Sequence, residues 1–442
     1  MRKMTRRVVS LCCCIAMAAS VTACGGGTKT EQTQQDTTAG KQGEKTDAEK
    51  TGGPSVEDGE ITVMVPPWAE PSQELLNSFT ADTGIKVTMN IVGWDDIRNK
   101  VSIAAVGKKA PADVIEVDWS WVGEFGAADW FEPINLTEDE KADMPTVSSF
   151  QYGDNIIALP YANDFRLGYF NQEHFKKIGM DQAPENWDDM IKACKKIKAD
   201  GICEYPLSFT LSATEAATTS LIWMTMSRYG DFFNSDFSVN KDNVIASLTS
   251  IDKIVKEDKL IDPASQNMKD VEVYEKITTG AASFMVGPTY FIGRINNPEY
   301  SSVVGQLSPL LIPGNGTTKT ATFALPEGIG ISKYSENKGA ALKFVQWYTS
   351  PDIQVQLYKD QGSIPTRTEA LQELIDDGIM VDGQVMVDQS QYIVSPFPGG
   401  IPSWYAEMSN TIYNSVNQMV TGSLTPEQAY EKISAKVNEL NQ

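Results

Sequence analysis

The chain has 442 residues, with 58 acidic side chains, 37 basic side chains and a formal net charge of −21. So acidic a protein lacks the broad basic face that binds nucleic acid or an anionic membrane surface, because that binding depends on lysine and arginine neutralising phosphates. The single histidine, His174, excludes a two-histidine metal site, and the sequence predicts neither a metal centre nor a cofactor.

The first 23 residues have the layout of a secretory signal. Basic residues precede a short apolar run from Val8 to Ala19, which is shorter than the ~20 residues of a permanent membrane helix. The segment VTACG at its end resembles the lipobox of bacterial lipoproteins, and this resemblance implies that the signal is cut before Cys24 and that the Cys24 thiol is diacylated. We therefore expect a lipoprotein signal peptide over residues 1–23 and a lipid anchor at Cys24, since two buried acyl chains hold far better than one.

Residues 24–58 are predicted to form a disordered tether. After Cys24 no large apolar residue occurs before Val56, so the segment cannot bury a core. A polar tether of this kind lets a folded body stand away from a membrane surface.

Beyond residue 58 the pattern alternates between strands and helices. In chain order, EITVMV predicts a strand, PSQELLNSFTADTG a helix, IKVTMNIV a strand, residues 94–106 a helix and ADVIEVD a strand. This alternation is typical of a parallel sheet with right-handed crossovers. The length of this part of the chain favours two domains.

The later elements continue the alternation. NIIALPY and LGYFN predict strands, residues 186–199 a helix, and ICEYPLSFT a segment leading to the helices TSLIWMTMSRYG and NVIASLTSIDKIVKED. AASFMVG predicts a strand, and SENKGAALKFVQWYTS, PDIQVQLYKDQG and TPEQAYEKISAKVNEL predict helices. Asn186 and Thr425 are the predicted N-caps of two of these helices. Cys194 lies on an apolar helical stripe, and two alternatives stay open for it: a buried free thiol, or a disulfide to Cys203.

Seven segments occur in a fixed order from about residue 60 to the end of the chain: ADTGIKVT, PADVIEVD, ALPYANDFRLGYFNQEHFKKIGM with PENWDDMIKACKKI, TTGAASFMVGPTYF, GIGISKYSENKGAALKFVQWYTSPDIQ, GSIPTRTEAL and IPSWYAEMSNTIYNSVNQMVTGSLTPEQAYEKI. Together they resemble the extracellular sugar-binding lipoproteins of ABC importers, relatives of maltose-binding protein. The resemblance implies an α/β fold of two lobes joined by a hinge, with the ligand in the cleft between them. The first lobe is expected to hold residues 59–163 and 309–360, and the second residues 164–308 and 361–442.

A sugar cleft needs two kinds of side chain. Sugar ring faces pack on flat aromatic rings, and sugar hydroxyls need directional and often charged partners. Ligands of open α/β sheets bind outside the carboxyl ends of the strands. Candidates of both kinds stand at such positions: Trp68, Glu70, Asp118, Trp119, Asp164, Arg166, Tyr290, Trp404 and Tyr405.

The resemblance carries over to some of these positions and fails at others. Trp404 falls on the family's ring-stacking tryptophan before the late helix, and Asp164 on an acidic cleft position beside the first hinge. The tryptophan that follows Gly-Pro in maltose-binding protein is here Thr289, with Tyr290 one place later. This departure, together with Val117 at the place of another of its tryptophans, argues against maltose itself as the ligand.

Several of these assignments have structural alternatives. Trp68 and Trp94 are candidates only because of their position in the sequence. Trp119 is the residue expected to compensate for the missing tryptophan after the third strand. Arg166 can bind the ligand or can simply pair with Asp164.

The resemblance implies a receptor and not an enzyme. It predicts an extracellular monomer, held at the outer face of the bacterial cytoplasmic membrane, that captures a carbohydrate and delivers it to ABC permease subunits. The chain has no GxxxxGK[ST] phosphate loop, so the ATPase is a separate cytoplasmic partner. Two alternatives stay open: a receptor of the same fold for a polyamine or peptide, since acids and aromatic rings also suit cations, and a membrane-anchored glycoside hydrolase, which needs only two acids.

Overall fold

The computed structural model describes residues 59–316 and 320–442. The predicted signal peptide, the tether and the lipidation site at Cys24 lie outside these residues. The strands are β1 (Gly59–Val65), β2 (Ile85–Ile91), β3 (Val114–Asp118), β4 (Gln151–Tyr152), β5 (Asn155–Ile156), β6 (Leu159–Ala162), β7 (Arg166–Asn171), β8 (Leu207–Ser208), β9 (Phe284–Pro288), β10 (Leu307–Leu310) and β11 (Glu327–Ile331).

Fifteen α-helices surround these strands within the described residues. They are α1 (Gln73–Thr83), α2 (Trp94–Val106), α3 (Val122–Ala127), α4 (Glu138–Asp143), α5 (Gln172–Lys177), α6 (Trp187–Ala199), α7 (Glu215–Arg228), α8 (Lys241–Lys256), α9 (Asp270–Tyr274), α10 (Lys338–Tyr348), α11 (Pro351–Gln361), α12 (Thr368–Asp376), α13 (Gln384–Ser390), α14 (Tyr405–Val420) and α15 (Pro426–Leu440). In this part of the chain no helix combines the length and the apolar composition needed to cross a bilayer.

The first sheet has the strand order β2-β1-β3-β11-β6. β1 pairs in parallel with β2 and with β3, so the parallel arrangement predicted from the first five elements is confirmed. β11 comes from much later in the chain and runs antiparallel to both β3 and β6. The first sheet is therefore mixed, because one strand returns to it from a distant segment.

The second sheet has the order β10-β7-β9-β8. β8 and β9 are parallel, whereas β7 is antiparallel to both of its neighbours. β10 reaches Leu310, where it pairs with Gly168, so the chain is still in this sheet just beyond the predicted lobe boundary at residue 309.

The two predicted N-caps are confirmed. The side chain of Asn186 accepts a 3.0 Å hydrogen bond from the backbone N–H of Asp189 at the start of α6. Thr425 and Gln428 form a reciprocal capping box at the start of α15. The apolar stripe of α6 that includes Cys194 is buried, and α15 buries Ala429, Ile433 and Val437.

Both cysteines of the described region are free and buried. Cys194 is fully buried in the core beneath the second sheet, and burial raises the pKa of its thiol to about 12. Cys203 donates a 3.4 Å hydrogen bond from its thiol to the carbonyl of Ala281. Of the two alternatives left by the sequence, the structure has the free thiols and not the disulfide.

Candidate functional site

Acidic side chains gather where β3 ends and β11 begins. β11 runs antiparallel to β3, so its first residue, Glu327, pairs with the last residue of β3, Asp118. Side chains of alternate strand residues share a face, which places Glu116 on the same side of the sheet as Asp118 and Glu327. This edge lies outside the carboxyl ends of β1 and β3, where open α/β sheets bind their ligands.

Glu327 carries two hydrogen bonds from aromatic residues. The indole N–H of Trp68 donates to Glu327 Oε2 at 2.6 Å, and the hydroxyl of Tyr161 donates to the same oxygen at 2.8 Å. Burial raises the pKa of Glu327, and the two hydrogen bonds partly offset that rise. Trp68 is 50 % exposed, so a carboxylate fixes its ring while leaving much of the ring open to solvent.

Asp118 is held by its neighbours and is 6 % exposed. Its side chain accepts hydrogen bonds from the backbone N–H of Ser120 at 2.8 Å and from Trp94 Nε1 at 3.3 Å. Burial raises the pKa of Asp118 to about 7; the Ser120 hydrogen bonds oppose this, and the nearby carboxylates of Glu327 and Glu215 add to it. The group can therefore change its charge near neutral pH.

Glu116 is fully buried within β3, and neither of its carboxyl oxygens has a hydrogen-bond partner in the structure. Burial, followed by the neighbouring carboxylates of Glu327 and Asp118, raises its pKa well above the ordinary value. The uncharged form of Glu116 is therefore favoured, because a charged carboxylate here would be both desolvated and repelled.

Asp164 and Arg166 form the ion pair that the sequence left as one of two possible roles. Arg166 Nη1 lies 2.6 Å from Asp164 Oδ2, and Arg166 is 7 % exposed. Asp164 also accepts from the backbone N–H of Thr289 at 3.2 Å. The buried Nε of Arg166 has no partner, so the guanidinium keeps one unused donor at this site.

Tyr405 joins a second acidic group at the start of α7. Its hydroxyl donates to Glu215 Oε1, and the hydroxyl of Ser409 donates to Glu215 Oε2 at 2.5 Å. Burial raises the pKa of Glu215, while these two hydrogen bonds lower it. Glu215 is the first residue of α7, a position at which the helix dipole favours a negative charge.

Trp119 lies in an aromatic cluster. Its ring centroid is 5.0 Å from that of Tyr405, 5.8 Å from that of Phe323 and 6.4 Å from that of Phe397. Trp119 is 5 % exposed and forms part of the wall of a cavity of about 490 Å³ between residues 145–153 and residues 390–401. Its ring is thus mostly covered by other aromatic rings.

The remaining predicted site residues lie around this region or away from it. Trp404 is half-buried and packs edge-on against Phe237, with ring centroids 5.7 Å apart. The guanidinium of Arg294 lies 4.7 Å from the ring centroid of Tyr290. Glu70 is exposed and lines a surface cavity of about 400 Å³ beside α1 and β2. Asp118 therefore lies beside Glu327, Tyr405 lies beside Glu215, and Trp404, Tyr290 and Glu70 have other neighbours.

Sequence reasoning missed several polar residues around Asp118 and Tyr405: Glu116, Tyr161, Glu215, Glu327, and Asp270, whose charge acts on Glu215. One of them left a readable signal, because Glu116 is the single charged residue inside the otherwise apolar run VIEV. Glu327 left no such signal in the sequence, because its neighbours in the structure come from strands that lie far away along the chain. Among the described residues no group of three acidic, cysteine or histidine side chains has an arrangement that could hold a metal ion.

Comparisons with known proteins give a consistent result. The family model for bacterial extracellular solute-binding proteins matches residues 65–355. A probable amino-acid ABC transporter periplasmic-binding protein of Sinorhizobium fredii (strain NBRC 101917 / NGR234) is 26 % identical over 383 residues, which cover 81 % of this chain and 83 % of the relative.

Two solved structures show the same architecture. Maltose-bound MalE3 of T. maritima superposes with a TM-score of 0.75 at 22 % identity, covering 86 % of this chain and 100 % of that one. A solute-binding protein of Thermotoga lettingae bound to α-D-tagatose gives 0.73 at 22 % identity, covering 87 % and 100 %. The predicted two-lobe α/β fold is confirmed by these likenesses.

Proposed function

Because the chain belongs to the family of bacterial extracellular solute-binding proteins, we propose that it is the sugar receptor of an ABC importer, which binds a saccharide between its two lobes and hands it to a membrane permease. The family consists of receptors and not of enzymes, and the proposal accordingly includes no catalytic step. The observation that carries this proposal is an exposed aromatic ring whose edge is fixed by a carboxylate.

That observation is the pairing of Trp68 with Glu327. An indole held through its N–H presents its face to solvent, and C–H groups of a sugar ring pack on such a face. The neighbouring carboxylates of Asp118 and Glu327 accept hydrogen bonds from hydroxyls at the ring edge. The structural neighbours bound to maltose and to tagatose support a saccharide as the ligand class.

Closure of the lobes is driven by a ligand that contacts both of them, because contacts to one lobe alone do not shift the equilibrium. Trp68 and Glu327 belong to the first sheet and its loops, whereas Tyr405 and Glu215 pack with the helices of the second. We place the lobes at residues 59–163 with 309–360 and at residues 164–308 with 361–442, as the sequence predicted, except that Pro309 and Leu310 remain in β10 of the second sheet.

The stretches of chain that pass from one lobe to the other are hydrogen-bonded to one another, which supports a hinge. The backbone N–H of Asn163 donates to the carbonyl of Ile364 at 2.8 Å, and that of Leu325 donates to the carbonyl of Asp164 at 2.7 Å. The hydroxyl of Thr366 donates to the carbonyl of Pro160 at 2.7 Å. Short segments that are tied together in this way can rotate as one joint between rigid lobes.

The partners follow from this role. We propose that the protein is a monomer, that Cys24 carries the lipid which holds it at the outer face of the cytoplasmic membrane, and that permease subunits with a cytoplasmic ATPase take up the ligand. Metabolic labelling with a fatty acid tests the anchor: the Cys24→Ala variant is expected to lose the label and to leave the membrane fraction.

Calorimetry of the purified protein with a panel of mono- and disaccharides tests the receptor itself. Saturable binding with one site per chain is the expected result, and chromatography of the same mixtures is expected to show no cleaved sugar. Cleavage products would identify a glycoside hydrolase instead, and binding of polyamines or peptides without any sugar would identify a receptor of a different class.

A further inference from the structure

We infer that the chain stabilises its own closed form through a direct contact between the lobes, in which residues 119–123 of the first lobe pack against residues 397–405 of the second. Trp119 and Gly123 act there as positioning residues and not as ligand contacts. The inference rests on the proposed function, because it concerns how the lobes of the receptor close.

The two sides of this contact belong to different sheets. Residues 119–123 follow directly on β3 of the first sheet. Residues 397–405 lead into α14, which packs against α7 and α8 and shares a hydrophobic core with β8 and β9 of the second sheet. The contact therefore joins the body built on one sheet to the body built on the other.

Each side places an apolar side chain against the hydrophobic core of the other. Trp119 belongs to the core beneath the second sheet, where its ring centroid is 5.0 Å from that of Tyr405. Ile401 packs in turn against the core of the first sheet, which includes Val122 and Phe125. Side chains exchanged in this way favour the lobe arrangement that buries them, because separating the lobes would return them to water.

Gly123 makes room for this packing. A Cβ at this position would lie 2.5 Å from the carbonyl carbon of Pro402 and even closer to the carbonyl oxygen of Ile401. Both atoms belong to the backbone, so they cannot swing aside as a side chain would. Gly123 lies inside α3, where alanine is the more favourable residue. The helix itself therefore does not require glycine, whereas the approach of the second lobe does.

The contact lies at the ligand-binding edge of the first sheet. Trp119 follows Asp118 at the carboxyl end of β3, and the same edge carries Glu327. Open α/β sheets bind their ligands at this edge, so a second lobe that packs here belongs to the closed form. The contact adds to the free energy of closure, and the ligand supplies the remainder through its own contacts to both lobes.

Packing between the lobes is not continuous around this contact. A cavity of about 490 Å³ separates residues 145–153 from residues 390–401, and both Trp119 and Ile401 line it. A limited contact beside open space can separate while each core stays intact, as lobes that open and close require.

Small-angle X-ray scattering of the full chain tests the inference by comparing Gly123→Ala with Gly126→Ala. Both substitutions add one methyl group to α3. A Cβ at Gly126 would meet the side chain of Tyr152, which belongs to the first lobe, so this variant is the matched control. Without ligand, Gly123→Ala is expected to enlarge the radius of gyration, and Gly126→Ala is expected to leave it unchanged.

Calorimetry with the panel of mono- and disaccharides gives a second readout. A rarer closed form lowers the apparent affinity by the same factor, so the saccharide that binds the unmodified chain is expected to bind Gly123→Ala at least about tenfold more weakly. Ile401→Ala removes an apolar contact without adding a clash and is expected to weaken binding by a smaller factor. It keeps the test decisive if circular dichroism shows that Gly123→Ala does not fold.

The outcomes separate this inference from the proposed function. A larger radius of gyration or a weaker affinity that is confined to the variants at positions 123 and 401 supports the inference. Variants that unfold more easily but keep the radius and the affinity of the unmodified chain overturn it, because the contact is then part of a fixed core. Tighter binding also overturns it, since the contact then belongs to the open form. If no saccharide of the panel binds, the proposed function fails and the scattering comparison alone decides the inference.

Discussion

The indole N–H of Trp68 donates a 2.6 Å hydrogen bond to Glu327, 259 residues further along the chain. This contact ties the loop after the first strand to the first residue of β11, and it leaves the tryptophan 50 % exposed. The carboxylate therefore orients an aromatic ring that does not pack in the hydrophobic core. Ring orientation of this kind serves binding more than stability, because an exposed ring gains little from burial.

We expect Trp68→Ala to weaken binding of the saccharide about tenfold, since an aromatic contact contributes about 0.5–1.5 kcal/mol. Trp68→Phe retains a ring but loses the bond to Glu327, and a smaller loss of affinity is expected. Calorimetry measures both changes. Tyr300→Ala, which removes another exposed aromatic ring, is the control, and an affinity equal in all three variants would exclude Trp68 from the site.

Glu116→Gln is expected to stabilise the protein at neutral and alkaline pH. The pKa of Glu116 is raised in the folded state, so the folded chain binds this proton more tightly than the unfolded chain. The contribution of Glu116 to stability is therefore fully present below its ordinary pKa and is lost as the pH rises toward the folded value.

Urea unfolding at about pH 5 and about pH 8 measures this effect. Glutamine has no proton to lose, so the free energy of unfolding of Glu116→Gln is expected to exceed that of the unmodified chain by about 1 kcal/mol or more at the higher pH. At the lower pH the two proteins are expected to differ less. A variant that is less stable at both values would mean that Glu116 has a partner that the amide cannot replace.

The buried pair of Asp164 and Arg166 is expected to matter for both stability and binding. Arg166→Met leaves Asp164 without its ion pair, and breaking a buried pair costs about 3 kcal/mol. Asp164→Asn keeps a hydrogen-bond acceptor for Thr289 and is expected to cost less. Urea unfolding ranks the two variants.

Calorimetry on Arg166→Met and Asp164→Asn then distinguishes the two roles that the sequence left open for Arg166, a ligand contact or a partner of Asp164 alone. A loss of affinity without a matching loss of stability identifies a ligand contact. A protein that binds normally but unfolds more easily identifies a purely structural pair.

The sequence was informative where a feature depends on neighbours in the chain. The N-caps at Asn186 and Thr425 were readable because capping is set within three residues of the helix start. The parallel order of β1 and β3 followed from the alternation of strands and helices. The antiparallel β11 was not foreseen, since the pairing of Glu327 with Asp118 joins segments that no local pattern connects.

The candidate site, too, could be predicted only where it depends on residues that are neighbours in the chain. Asp118 and Tyr405 could be named as candidates because they lie at the end of β3 and at the start of α14. Glu215 opens a helix too, but its role depends on Tyr405 and Ser409, which come from a distant helix. The surroundings of Trp119 were not readable from the sequence either, because its ring contacts Phe323, Phe397 and Tyr405, which come from distant segments.

The pH dependence of binding offers the most direct test of charge at the site. The pKa of Asp118 is about 7 in the protein without ligand, so at or below this pH a large fraction of the chains carries a proton there. A sugar hydroxyl that donates a hydrogen bond to Asp118 favours the charged carboxylate and lowers that pKa. Binding of the saccharide is therefore expected to release protons and to strengthen as the pH rises from about 5 to about 7. Calorimetry in two buffers of different ionisation enthalpy counts the protons, and the Asp118→Asn variant is expected to abolish most of the release. Release that persists in this variant would assign the titration to another group, and proton uptake would mean that the ligand favours the protonated carboxyl instead.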